Sequence, residues 1–164
     1  MLPLARLSQR SNSDCQTTKY QSQRSGSLNR RLNGFLIDCN AQVSKRVIDV
    51  RLHNTSQLAA FAKADDLAFF LKQIGEIRYV HQPLLAPTDS MLKTYKKEKG
   101  EWRVYQGRFL QLMAERKIED RLTPAAFDGA CLLCSEALPH HCHRRLVCEY
   151  LNEKWGGALH VKHL

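Results

Sequence analysis

From Val47 onward the chain alternates compact, β-branched apolar runs with stretches of helical periodicity, and this alternation restricts the fold more than any other feature. Val47-Ile48-Asp49-Val50-Arg51-Leu52, Ile77 to His81, Ala130 to Ser135 and Ala158 to Val161 read as strands. Between the first two, Asp65 to Ile74 carries a stripe of Leu67, Phe70, Leu71 and Ile74, with Asp65 or Asp66 as cap and Gly75 as stop. Pro83 and Pro87 mark a loop. Thr88 caps a helix to about Lys99, and a longer one runs from Glu101 to Lys117 with Trp102, Tyr105, Phe109, Leu112 and Met113 near one face. Pro124 opens a short helical turn, and Cys142 to Trp155 is the last helix. Strands separated by helices imply a mostly parallel sheet with helices on its faces. Strands that are apolar throughout, not alternating, agree, because both faces of such a sheet are covered. The expectation is a single α/β domain with a mostly parallel sheet of four to five strands flanked by helices.

The first 44 residues follow different rules. They are rich in Ser, Arg, Gln and Asn and show no sustained period, which reads as a segment disordered in large part. Gly34 to Ile37 is a candidate short strand within it. The net charge of +9 concentrates there: residues 1–46 hold eight Lys and Arg against two acids. The organisation expected is a basic, Ser/Arg-rich segment over 1–44 followed by an α/β domain over 45–164. No stretch approaches the ~18 apolar residues of a spanning helix, so no membrane partner is expected. Six cysteines dispersed through 164 residues read as reduced thiols in a cytoplasmic chain, not as a disulfide framework.

The chemistry concentrates between Cys134 and Arg144. A thiol and a carboxylate, Cys134 and Glu136, sit where a strand ends; Cys142, His143 and Arg144 sit where a helix begins. That junction is where open α/β sheets place ligands. The first turn of a helix exposes unpaired N–H groups and a partial positive charge, and Arg144 adds a planar two-pronged donor suited to phosphate or carboxylate. Arginines there need either an anionic ligand or carboxylates such as Glu136 or Glu149. The same surroundings lower a thiol's pKa, so Cys142 reads as a nucleophile or as a buried small hydrophobe. Glu136 and His143 are acid/base candidates. Cys134 lines the site from a core strand. Cys131 and Cys134 are three apart on a strand and face opposite ways, which weakens a zinc knuckle; no metal and no cofactor are expected.

A second cluster lies at the first strand. Asp49, Arg51 and His53 share a face by the period of two, followed by the polar loop from Asn54 to Gln57. Asp49 as a catalytic group and Arg51 and Asn54 as substrate contacts would face the same crevice; the alternative is an internal Asp49–Arg51 pair that buttresses the loop. Lys93, Lys96, Lys97, Lys99 and Arg103, with Tyr95 and Trp102 interleaved, form a local basic patch that is either a nucleic-acid contact or a solvated helix face.

Taken together, Val47-Ile48-Asp49-Val50-Arg51 and Cys134-Ser135-Glu136…Cys142-His143-Arg144-Arg145-Leu146-Val147 resemble the bacterial and archaeal family called domain of unknown function 488. Asn54 to Leu58, Tyr79-Val80-His81, Leu85 to Thr88 and the Tyr95 to Trp102 region are similar to its members as well, so the resemblance covers about Lys45 to Leu164. It implies a compact cytoplasmic α/β domain, supplies no established activity, and marks Asp49, Arg51, Cys134, Glu136, Cys142, His143 and Arg144 as matching the family pattern. Residues 1–44 depart from the strand and helix that usually open such proteins, which is the expectation for an altered or mis-started N-terminus. Three functions follow as expectations: an enzyme on an anionic, phosphate-bearing small molecule or nucleic acid; a non-catalytic nucleic-acid-binding or regulatory module; and a thiol redox protein using Cys134 and Cys142.

Overall fold

The computed structural model describes residues 4–9, 44–55, 63–136 and 140–163. Its strands are β1 (Leu4–Gln9), β2 (Arg46–Asp49), β3 (Arg78–His81), β4 (Ala130–Leu133) and β5 (Leu159–His163), joined in one sheet in the order β3-β2-β4-β1-β5. β2 lies between β3 and β4 and runs parallel to both, with Asp49 opposite His81 on one side and Leu133 on the other. β1 is antiparallel to β4 and to β5. The sheet is therefore mixed, with β1 as the single reversed strand, and the α/β class with a mostly parallel sheet holds.

β1 falls where the sequence led us to expect little order. Its local composition carries no strand period, but it is paired along both edges, from Leu4 opposite Leu133 to Gln9 opposite Leu159. Ladder bonds to two neighbours stabilise a strand that its own residues do not announce. The candidate strand at Gly34 to Ile37 lies outside the described residues.

The helices are α1 (Ala64–Gly75), α2 (Asp89–Lys96), α3 (Trp102–Glu115), the single turns α4 (Ile118–Arg121) and α5 (Pro124–Phe127), and α6 (His143–Lys154). α1 has Asp65 and Asp66 in its first turn, where they favour the positive helix end, but neither caps it; Lys63 holds the cap position. It closes at Glu76, not Gly75: Glu76 takes the left-handed conformation (φ 51°) and its N–H reaches the Leu71 and Lys72 carbonyls. Thr88 caps α2 as expected, its Oγ1 accepting from the Met91 N–H at 3.3 Å.

Alternation along β2 and β4 splits the core in two. Val47, Cys131 and Leu133 face α1 and pack with Leu67, Leu71 and Ile77. Ile48, Ala130, Leu132 and Cys134 face the other way, against Tyr105, Phe109 and Met113 of α3 and Leu146, Val147 and Leu151 of α6. Both faces of the sheet's centre are thus covered. Arg116, at the end of α3, donates from Nη1 to the carbonyls of Leu84 and Ala86 at 2.5 and 2.6 Å, which fixes the loop that leads into α2.

Two strands are shorter than their apolar runs. β2 stops at Asp49 because the next free N–H, that of Arg51, donates to Asp49 Oδ1 at 3.0 Å and leaves the ladder. β4 ends at Leu133, whose carbonyl takes the last rung from the Val50 N–H at 2.9 Å. The chain beyond each end is free to present side chains at the C-terminal edge of the sheet.

Candidate thiolate and anion site at the β4–α6 junction

Cys134 continues the β4 alternation toward α6, and Cys142 is the residue that caps α6 with extended backbone (φ −128°, ψ 126°). Both side chains are buried, and their Sγ atoms are 2.8 Å apart, a shared-proton contact between two free thiols. The pair is asymmetric. The hydrogen bond from Cys134 holds the Cys142 thiol below its ordinary range against the opposing effect of burial, with further help from Arg144, His143 and the Arg144 backbone N–H. The same hydrogen bond, reinforced by burial, pushes the Cys134 thiol up. Of the two, Cys142 is therefore the more acidic thiol. Cys131 lies on the opposite face, 2.9 Å from Ser44 Oγ, so it cannot join Cys134 around one ion.

Arg144, in the first turn of α6, is 0 % exposed, and its Nε, Nη1 and Nη2 have no hydrogen-bond partner among the described residues. A buried guanidinium without acceptors is costly. Carboxylates that sequence reasoning offered it are engaged elsewhere: Arg145 reaches Glu149 at 3.6 Å, and Glu136 Oε1 lies 2.8 Å from Lys96 Nζ.

Glu136 hangs beyond the end of β4, one-fifth exposed. Burial alone would raise its pKa, but His143 and then Lys96 outweigh it and hold the carboxyl at about 2. Held so low, it stays ionised and positions its neighbours. His143 lies between two acceptors. Its Nε2 is 3.0 Å from the Val50 carbonyl, and its Nδ1 is 3.5 Å from Glu136 Oε2, an ion-pair contact longer than a good hydrogen bond. Tyr105 of α3 closes the inner side: burial first, then the charges of Glu136 and Cys142, push its hydroxyl pKa up. Sequence reasoning placed Tyr105 in a core stripe and Lys96 in a surface patch. Neither position signals a site locally, because α2 and α3 bring them there by tertiary packing.

The cluster at β2 sits next door and is built on an internal ion pair. Asp49 accepts from Arg51 Nε at 2.8 Å, from Arg51 Nη2 at 2.6 Å and from the Tyr79 hydroxyl at 2.6 Å. Asn54 donates to the Tyr79 oxygen at 3.1 Å, and His81 Nε2 lies 2.9 Å from the Arg51 carbonyl. This is the geometry of the internal pair that the sequence left open as an alternative. His53 departs from that face; it is exposed and contacts Asp89 at 2.8 Å. The two clusters join at Val50, whose carbonyl receives His143 while Asp49 and Arg51 flank it.

Cys134, Glu136 and Cys142 present donor atoms within 4.8 Å of one another, close enough to converge on an ion. The fit to a dication is poor, because the unpaired Arg144 guanidinium and Lys96 bring positive charge to the same place. A groove of about 450 Å³ opens alongside, lined by His53, Asp89, Lys93, Lys96 and Lys97, and Lys96 joins it to Glu136. No helix among the described residues is long and apolar enough to cross a membrane.

Among family models, that described as Domain of unknown function DUF488 matches residues 32–151, well over half of the chain. No curated protein and no solved structure matches.

Proposed function

The chain belongs to the DUF488 family, and on that premise we propose that it is an enzyme, a hydrolase or transferase acting on a phosphate-bearing substrate, with Cys142 as nucleophile and Arg144 as the anion holder. The observation that carries this reading is the buried Arg144 guanidinium without an acceptor among the described residues, two residues from a thiol held below its ordinary pKa. A phosphoryl group beside Arg144 satisfies its N–H groups and lies against the positive end of α6. Cys142 Sγ attacks phosphorus; the S–P bond forms, the P–O bond to the leaving group breaks, and the departing oxygen takes a proton from His143. Water then cleaves the S–P bond and returns a proton to His143. Glu136, ionised, holds His143 and Lys96 in place. Asp49, Arg51 and Asn54 are positioning residues that fix the Val50 carbonyl on which His143 rests, and Cys134 keeps Cys142 ionised.

A screen of phosphate esters and nucleotides with wild type, Cys142→Ser and Glu136→Gln tests the mechanism. Each substitution is expected to lower kcat by about 100-fold or more, the usual scale for a lost nucleophile or positioned acid–base group. Full activity in both variants rejects it. The lysine-lined groove supports a second reading, a non-catalytic nucleic-acid module. Its affinity would fall steeply with salt, and flat salt dependence would dismiss it.

A further inference from the structure

We infer that Cys142 and Cys134 are a hydroperoxide-sensing pair, in which Cys142 is the thiol oxidised and Cys134 the thiol that resolves it as a disulfide. Three observations converge. The Sγ atoms are 2.8 Å apart, so no rearrangement of elements separates the thiol pair from an S–S bond of about 2.05 Å. The two are chemically unequal, and the one disposed to be thiolate, Cys142, is the one that attacks the peroxide. Arg144, buried and without a hydrogen-bond partner among the described residues, adds positive charge beside Cys142.

The steps balance. The Cys142 thiolate attacks one peroxide oxygen; an S–O bond forms, the O–O bond breaks, and hydroxide leaves, taking a proton to become water. Cys134, giving up its proton, then attacks the sulfur of the Cys142 sulfenic acid; S–S forms, S–O breaks, and the second oxygen leaves as water. Two thiol sulfurs lose two electrons, the peroxide gains them, and one proton comes from solvent. Burial sets the oxidant class. Both sulfurs are 0 % exposed, so a small uncharged hydroperoxide reaches them with less opening of the junction than a bulky disulfide such as oxidised glutathione. Burial pushes Cys148 up to about 12, and Cys131 contacts Ser44 on the other face of the sheet. If Cys142 is the nucleophile proposed above, the disulfide also switches that activity off; the oxidation itself does not rest on that reading.

The test uses the reduced full chain, hydrogen peroxide in slight excess, alkylation of surviving thiols and peptide mapping. Cleavage after Glu136 separates Cys134 from Cys142, and fragmentation of the linked peptides tells Cys134 from Cys131. The expected result is a Cys134–Cys142 disulfide as the main product, with Cys131 and Cys148 alkylated. Oxidised glutathione at the same concentration is expected to act at least about tenfold more slowly, since access as well as thiolate character sets the rate. In Cys134→Ser, dimedone is expected to label Cys142. A Cys142 that stays alkylatable while Cys15 or Cys39 oxidises, or that links to any cysteine other than Cys134, overturns the inference. Neither outcome depends on finding a substrate, so failure here and failure of the catalytic reading remain separate.

Discussion

Replacing Arg144 by Met tests whether the buried guanidinium awaits an anion. The side chain is 0 % exposed and presents Nε, Nη1 and Nη2 without hydrogen-bond partners among the described residues. Each unsatisfied buried donor costs about 1–3 kcal/mol, so the three together cost roughly 3–9 kcal/mol before the attraction of the Cys142 thiolate offsets part. Met keeps the volume of the alkyl chain and removes the donors. Exchanging a buried charge for an apolar side chain of similar size is commonly neutral or stabilising by about 1–4 kcal/mol. Arg144→Met is therefore expected to unfold at equal or higher temperature than wild type in phosphate-free buffer. Inorganic phosphate reverses the order. At a phosphate concentration one hundred times its Kd, wild type gains about 2.7 kcal/mol. At about 2–4 °C per kcal/mol for a chain of this size, Tm rises by roughly 5–10 °C. The variant shows no such rise. Calorimetric or fluorescence melts of both proteins, with and without phosphate, read the comparison. A variant several kcal/mol less stable than wild type, with neither protein responding to phosphate, would refute the reasoning: the guanidinium would then be satisfied in place.

Acid unfolding reports on Glu136. Its folded pKa of about 2 lies below the ordinary 4.5, so its contribution is fully present above pH 4.5 and is lost as pH falls from there toward 2; Glu136→Gln should flatten that part of the stability–pH curve, by roughly 3 kcal/mol at most at about 1.4 kcal/mol per pKa unit. Asp49→Ala is expected to cost about 3–5 kcal/mol in urea titration, because the buried Arg51 loses its carboxylate partner, and a cost under 1 kcal/mol would mean that the pair is not a buttress. Tyr79→Phe removes one hydroxyl that donates to Asp49 and accepts from Asn54, with an expected cost of about 1–3 kcal/mol by the same assay; no change would show that water replaces it.

The parallel core of the fold was legible because its signals are local. The apolar runs at Val47, Ile77 and Ala130 and the helical stripes between them carry their own periods, and each appears within a few residues of its expected bounds. β1 was illegible for the opposite reason: an aperiodic segment becomes a strand through its two neighbours. At the site, the alternation that sends Cys131 one way and Cys134 the other was readable from spacing, as was the placement of Cys142 and Arg144 at a helix start. The closeness of Cys134 to Cys142 was not, because eight intervening positions do not fix a distance. Lys96 and Tyr105 were missed as site residues since only the packing of α2 and α3 against the junction brings them near Glu136. The closure of Asp49 and Arg51 depends on Tyr79 and Asn54, which reach the pair from β3 and the loop after β2.

The central claim is that the start of α6 holds Cys142 as a thiolate. Thiolate absorbance near 240 nm, followed against pH in wild type, Cys142→Ser and Arg144→Met, measures it. Wild type is expected to show one thiolate that persists well below the ordinary thiol range of about 8.5, disappears in Cys142→Ser, and titrates at higher pH in Arg144→Met. Wild-type thiols that all titrate at or above about 8.5, with no difference between the three proteins, would contradict it.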